Sequence, residues 1–270
     1  MRYYDFTVDW GDGNRDNITV YNQSEVTHQY SSTGIYDIKI HGDITGWRFN
    51  NGGDDDKITE ISKWGPLKFV SNDTDLFQGC SNLVLTATDS LTLANTAYEM
   101  FRECPVLGNQ GNMSTWNTSN VTNMAGMFYV YNGGSTFDQD VGNWDLSSCT
   151  DIQQMFRGQL GDNAFNNGGS PSISGWDTSN VTNMQYTFRR CTGFNQPIGT
   201  WDTSKVTSIS NMFLDCHSFN QDIGSWDLRS LTLAHNAFSS ATVFNQDIGN
   251  WNITGVTNMN RMFPSHDLYG

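Results

Sequence analysis

Side chains able to carry acid–base, nucleophilic or metal chemistry are present but do not converge. The five histidines, His28, His41, His217, His235 and His266, are scattered. None belongs to a His-Glu-x-x-His, and there is no Cys-x-x-Cys, Gly-x-Ser-x-Gly or phosphate-loop pattern. No catalytic residue, metal ligand or cofactor site is therefore expected, and His28 is assigned a structural hydrogen bond. Asp9, Asp12 and Asp16 could offer calcium oxygen ligands, but they lack the spacing of a calcium loop, so turn-forming hydrogen bonds are expected of them. Cys80, Cys104, Cys191 and Cys216 each follow a phenylalanine by three residues and so form one column. Parallel Cβ vectors in such a column oppose disulfide closure, and free buried thiols are expected. Cys149, which replaces a valine of the pattern, reads as a small apolar residue.

Recognition chemistry is better provided for. Tyr129, Tyr131 and Asn132 lie in one glycine-bearing stretch, 129–134, and Gln159, Asp162, Asn163 and Asn167 lie in a second, 158–171. Exposed tyrosines beside amides and carboxylates suit a glycan or a protein epitope, the ring supplying contact area and the polar groups orientation. These seven residues are the candidate ligand-binding set. Asn-Gln pairs at 195–196, 220–221 and 245–246 form rows that read either as amide ladders or as a flat polar sheet for a periodic ligand. The Asp after Trp (Asp145, Asp177, Asp202, Asp227) reads as a turn residue satisfying local amides.

What must position these residues is a repeat of about 25. Trp116, Trp144, Trp176, Trp201, Trp226 and Trp251 are separated by 28, 32, 25, 25 and 25 residues, and each is followed twelve residues later by a phenylalanine. Two degenerate copies, around Phe77 and Phe101, precede them. After each Trp an aliphatic or Cys residue comes at the fifth position and a threonine at the sixth. Apolar residues three and four apart then predict a short helix or 3₁₀ turn, with the threonine as its cap. Phe-Asn-Gln-Asp-Ile-Gly-x-Trp, at 219–226 and 244–251, predicts a half-buried strand. A single coil of this kind cannot bury its inward face, so the units are expected to stack about 4.8 Å apart. The stretches 129–134 and 158–171 hold the extra residues of the 28- and 32-residue units, and insertions in such stacks emerge as loops.

Trp-Asp-Thr-Ser-Asn-Val-Thr-Asn-Met at 176–184 and Met-Phe-Leu-Asp-Cys-His-Ser-Phe-Asn-Gln-Asp-Ile-Gly at 212–224 resemble the BspA-like leucine-rich-repeat surface proteins. The resemblance implies a mainly β, right-handed leucine-rich-repeat solenoid of about eight coils over 61–270, with short helical turns, used for adhesion or recognition without a catalytic residue. Residues 1–60 resemble half of a PKD-like β-sandwich through Trp-Gly-Asp-Gly at 10–13, His28, Tyr30 and Tyr36. They are expected to cap the first coil.

Composition narrows the partners. Twenty-eight acids against fourteen Lys and Arg leave a net charge of −14, which repels phosphate backbones and anionic bilayers, so nucleic acid is not expected. No apolar run reaches the length of a membrane span. The expected function is non-enzymatic recognition of an extracellular glycan or protein, at a cell or virion surface. A filament subunit self-associating through its stack ends, in which the stretch 262–270 lacks a polar cap, and an ice- or mineral-binding surface are the alternatives. Of eight Asn-x-Ser/Thr tripeptides, those at Asn120 and Asn180 arise from the repeat itself.

Overall fold

The computed structural model describes residues 4–44, 48–65, 67, 69 and 74–263; His266 and the stretch 264–270 lie outside it. Near the N-terminus, β1 (Tyr4–Asp9), β2 (Arg15–Ile18) and β3 (Lys39–Ile44) form an antiparallel sheet in the order β2-β1-β3. Strand alternation places Phe6 and Val8 on the face of their partners Ile18 and Ile40, with Val8 and Ile18 buried. The acidic hairpin is committed residue by residue. Asp9 accepts from the Gly11 N–H at 3.1 Å and from Arg15, Asp12 accepts from the Asn14 N–H at 3.0 Å and hydrogen-bonds His28 Nε2 at 2.8 Å, and Asp16 accepts from Trp10 Nε1 at 2.7 Å. His28 also stacks on Trp10, with ring centroids 4.8 Å apart.

The last part of the 1–60 segment is hydrogen-bonded to the unit around Phe77. Phe49 and Asn51 donate backbone N–H groups to the Leu76 and Gln78 carbonyls, both at 2.8 Å. β4 (Glu60–Ile61) then pairs in parallel with β5 (Val84–Leu85).

From there the chain repeats. Thr96, Asn123, Asp151, Asn183, Ser208, Leu233 and Asn258, one from each unit, bridge in parallel from unit to unit. Phe77, Phe101, Phe128, Phe156, Phe188, Phe213, Phe238 and Phe263 stack into one column with ring centroids 5.2–5.8 Å apart. A second column runs through Phe137, Phe165, Phe194, Phe219 and Phe244 at 5.8–6.2 Å. Trp176 stacks on Trp201 at 5.7 Å and Trp226 on Trp251 at 6.3 Å. Each indole N–H from Trp144 to Trp251 donates to a carbonyl one coil earlier, at 2.7–3.1 Å. The rings of the two columns also meet within a coil, as Phe156 and Phe165 do at 3.6 Å, but each inner ring is sandwiched by the coils above and below, which ties the stability of each unit to its neighbours.

Three local expectations are corrected. The segment expected to be a helical turn is a pair of consecutive turns: Met127 N–H donates to Met124 O and Tyr129 N–H to Gly126 O. Left-handed residues recur ten positions after each Trp (Gly126, Gln154, Tyr186, Asn211, Asn236, Arg261) and fourteen after it in three coils (Arg190, Asp215, Ser240), with φ between +52° and +64°. A helix would consume its N–H groups internally. Here alternate ones, on Met124, Gly126, Phe128 and Val130, reach the Asp151, Gln153, Met155 and Arg157 carbonyls of the following coil at 2.8–3.0 Å.

The threonines are not caps. The N–H and hydroxyl of Thr150, Thr182, Thr207, Thr232 and Thr257 both donate to the carbonyl of the preceding threonine of the row. Capping falls to the next residue: Asn123, Asp151 and Asn183 each accept the N–H two positions on, at 2.8–3.1 Å.

The Phe-Asn-Gln stretches are extended but carry no strand ladder. Side-chain amides replace it: Asn195 Oδ1 accepts from the Asn220 N–H and Gln221 Nε2, both at 3.0 Å, and Asn220 Oδ1 accepts from the Asn245 N–H and Gln246 Nε2, both at 2.9 Å. The rows of amides are therefore ladders that join coils.

The Asp row behaves as turn residues. Asp145, Asp177, Asp202 and Asp227 each accept the N–H two positions on, at 2.9–3.2 Å. Hydrogen bonds from Ser179 and Ser204 hold Asp177 and Asp202 below the usual carboxylate range, so their contribution is lost as pH falls through the lowered values. Asp151 has the opposite sign: burial pushes its carboxyl up, against hydrogen bonds from the Gln153 N–H and Asn183. A carboxyl raised on folding favours the fold at low pH and loses that favour as pH rises through the raised value. Asn123, Asn183 and Asn258 occupy the same position in other coils. Asp151→Asn is therefore expected to raise the thermal midpoint at pH 7. The gain should vanish when the melt is repeated below the carboxylate range; a loss at pH 7 would contradict it.

Candidate binding surface

The two inserts lie side by side on neighbouring coils. Val130 bridges Gly158 and Ser135 bridges Asn163. Between these points Gln159 N–H donates to Val130 O at 3.1 Å, Leu160 N–H to Tyr131 O at 3.0 Å and Ser135 N–H to Asp162 O at 3.0 Å. Glycine is required where the backbones touch. A Cβ on Gly161 would sit 2.2 Å from the Gly133 carbonyl, and one on Gly134 would sit 2.6 Å from Asp162 O.

The seven candidate residues separate into two groups. Tyr131, Asn132 and Asp162 are exposed, with Leu160 beside them, and Tyr131 is 44% exposed. Tyr129 is not an exposed loop tyrosine: it is 6% exposed, because the position after Phe128 is covered by side chains of the coils on either side. Asn163 and Asn167 are fully buried and serve the backbone. Asn163 Oδ1 accepts the Phe165 N–H at 2.9 Å. Asn167 Oδ1 accepts the Val141 N–H at 2.8 Å, while its Nδ2 donates to Ser170 O at 2.7 Å and Ser172 Oγ at 3.1 Å. Gln159 is half-buried and faces arginines, its Oε1 accepting from Arg157 Nη2 and from Arg189 Nη1, the latter at 2.7 Å.

Those arginines belong to a column absent from the candidate set. Arg102, Tyr129, Arg157 and Arg189 each follow the phenylalanine of their coil. The Arg102 guanidinium lies 5.1 Å from the Tyr129 ring centre, Arg157 lies 4.8 Å from Tyr129 and 4.4 Å from Tyr186, and Arg189 lies 5.9 Å from Tyr186. Arg157 is thus held between two aromatic faces, an attractive geometry for a cation. Burial, with Arg189 and Arg102 nearby, pulls the Arg157 guanidinium below its ordinary value. Arg102 is paired with Glu99 at 2.7 Å and Arg190 with Asp215 at 3.2 Å. The signal in the sequence was the single residue after each phenylalanine, which becomes visible only when the units are aligned on that ring.

Other groups are occupied structurally. All five cysteines are free and buried, and burial raises the Cys149 thiol to about 11, where a thiolate nucleophile is disfavoured at neutral pH. Cys104, Cys191 and Cys216 donate their thiols to the Phe77, Phe156 and Phe188 carbonyls one coil earlier, at 2.9–3.2 Å. A cavity of about 340 Å³ is lined by Asn109, Asn112, Asp138, Gln139 and Asp140. Its carboxylates are engaged, Asp138 with the Asn166 and Gly168 N–H groups and Asp140 with the Gly142 N–H and Ser172 Oγ.

No helix among the described residues is long and apolar enough to cross a membrane. Comparison with curated proteins and with solved structures finds no match. The family described as "Mycoplasma protein of unknown function, DUF285" matches residues 72–167 and again 162–268. Those two spans take in every coil from Phe77 to Phe263 and more than half of the chain, which therefore belongs to that family.

Proposed function

We propose that the protein is a non-enzymatic recognition or adhesion module of the BspA-like type, a right-handed leucine-rich-repeat solenoid exposed at a cell or virion surface. Its partner is an extracellular glycan or protein. The observation that carries this reading is the pair of abutting inserts, which hold Tyr131, Asn132, Leu160 and Asp162 in solvent on backbones hydrogen-bonded to each other. An aromatic ring, an amide, an aliphatic side chain and a carboxylate, held on backbone that is hydrogen-bonded to its neighbour, bind with little ordering cost. Residues 1–60 serve as the cap, as a PKD-like segment would.

A glycan array and a pull-down with the whole chain test the reading. Tyr131→Ala combined with Asn132→Ala is expected to weaken binding at least about tenfold with an unchanged thermal midpoint, because both side chains are exposed. Retained affinity would move the site off the inserts. An ice- or mineral-binding surface is favoured by one observation, the exposed, hydrogen-bonded row from Thr122 to Thr257. A thermal-hysteresis assay separates it, since a recognition module shows no hysteresis.

A further inference from the structure

The charge arrangement around Gln159 is out of keeping with the rest of the chain. Carboxylates outnumber cationic side chains two to one, so an arginine has acids to choose from. Arg15, Arg102, Arg190 and Arg229 each take one, Asp9, Glu99, Asp215 and Asp227 respectively. Arg48 and Arg261, which are exposed, take none among the described residues, and neither do Arg157 and Arg189, which are half-buried. Their polar partners are neutral amides: Arg157 donates to Gln154 Oε1 at 2.7 Å and to Gln159 Oε1, and Arg189 donates to the same Gln159 oxygen. The Nε–H groups of both are buried without an acceptor, as are those of Arg102 and Arg190. Two half-buried guanidiniums from adjacent coils therefore converge on one uncharged oxygen. Bringing like charges together and partly desolvating them is costly unless an anion completes the group.

We propose that Arg157 and Arg189 form a carboxylate-binding site, with Gln159 Oε1 lying where one carboxylate oxygen would otherwise be, and that the carboxylate is carried by the terminal sugar acid of a glycan. The proposal rests on the recognition reading above and names its ligand class. The planar guanidinium fork fits a carboxylate with two parallel hydrogen bonds. The sugar is suggested by the border of the site: Gln159 leads directly to Leu160, whose N–H is held by Tyr131 O at 3.0 Å, so the two cations lie beside the insert that exposes Tyr131 and Asn132. An aromatic face beside amides suits a pyranose ring and its hydroxyls. A single terminal acid also suits a chain of net charge −14, whose field repels a long polyanion.

Calorimetric titration of the whole chain with a glucuronate-terminated oligosaccharide, its neutral glucose-terminated counterpart, sodium acetate and hexaglutamate tests this. The acidic oligosaccharide is expected to bind at least about tenfold more tightly than the neutral one, the worth of one charge-assisted hydrogen bond. Gln159→Glu supplies an internal carboxylate, and is expected to raise the thermal midpoint while weakening the acidic oligosaccharide at least about tenfold. Arg189→Gln should weaken it similarly. A role confined to folding would move the midpoint in Gln159→Glu and leave affinity alone, which overturns the proposal. Equal affinity for acetate, or tighter binding of hexaglutamate, overturns the sugar acid as the ligand. Equal binding of acidic and neutral oligosaccharides, abolished by Tyr131→Ala but not by Gln159→Glu, overturns the anion site and leaves the recognition reading in place. Absence of any oligosaccharide binding removes the proposal, and a protein partner then found by pull-down would leave the broader reading standing.

Discussion

Phe188→Ala is expected to lower the stability of the stack by about 3–5 kcal/mol, the range for removing a buried phenylalanine. The ring is fully buried, sits 5.8 Å from both Phe156 and Phe213 in its column, and lies 3.9 Å from Phe194 of the other. Alanine would leave a void lined by five aromatic rings, including Phe165 at 6.3 Å and Trp201 at 6.1 Å, and rigid rings collapse poorly into such a space. Because each coil contacts chiefly its neighbours, the loss falls on two interfaces at once. Chemical denaturation should show a lower midpoint and a broadened or divided transition, as coils on either side of the defect lose their coupling. Phe263 provides the internal control. It occupies the same place in its repeat and stacks on Phe238 at 5.7 Å, yet is 42% exposed, so Phe263→Ala should cost much less. Equal effects at the two positions would contradict the column as the main source of stability.

The second large effect is expected at Asn167. Its amide ties the 158–171 insert to the coil before it: Oδ1 accepts the buried Val141 N–H, and Nδ2 holds Ser170 O and Ser172 Oγ. The residue also adopts a left-handed conformation, φ 55°, which asparagine tolerates better than alanine. Asn167→Ala would strand a buried N–H and add backbone strain, together about 2–4 kcal/mol. Two companions separate the causes. Asn167→Gly keeps the backbone conformation without the side-chain bonds, and Asn167→Asp keeps the acceptor for Val141 but removes the donors. The expected order of thermal midpoints is wild type, then Asp, then Gly, then Ala. A change in ligand affinity larger than the loss of stability explains would return Asn167 to the binding set from which its burial removes it.

How much was legible in the sequence follows from what kind of information each feature needs. The phenylalanine columns were readable because burial between identical units forces identical chemistry at a fixed interval, and Phe188, Phe213 and Phe238 carry that interval openly. The contact between 131–134 and 159–162 was readable for the same reason, since extra residues at the same place in adjoining units must emerge together. The turn was misread because Met124, Met127 and Phe128 have helical spacing, whereas the left-handed residues that prevent a helix, Gln154 and Tyr186 among them, are not glycines. Thr182 reads as a cap in the sequence because its hydroxyl can serve either its own turn or the preceding coil, and only the stack decides between them. Tyr129 was read as exposed from its place beside an insert, when its position after Phe128 puts it among Arg102 and Arg157. That column mixes charge with aromaticity, so it has no hydrophobic period to reveal it.

The one-way bonding of the turns has an electrical consequence. On this side of the molecule, alternate N–H groups of each unit point toward the following unit and the carbonyls they meet point back, from Phe77 through Phe238. Their peptide dipoles therefore add, as they do along an α-helix, but the positive pole lies toward the later units. The Thr150-to-Thr257 row runs the other way, as do the N–H groups of Thr136, Gln159, Leu160, Ala164 and Ser218, and these cancel only part of the sum because they are outnumbered in each unit between 116 and 250. The stack is consequently a polarised rod.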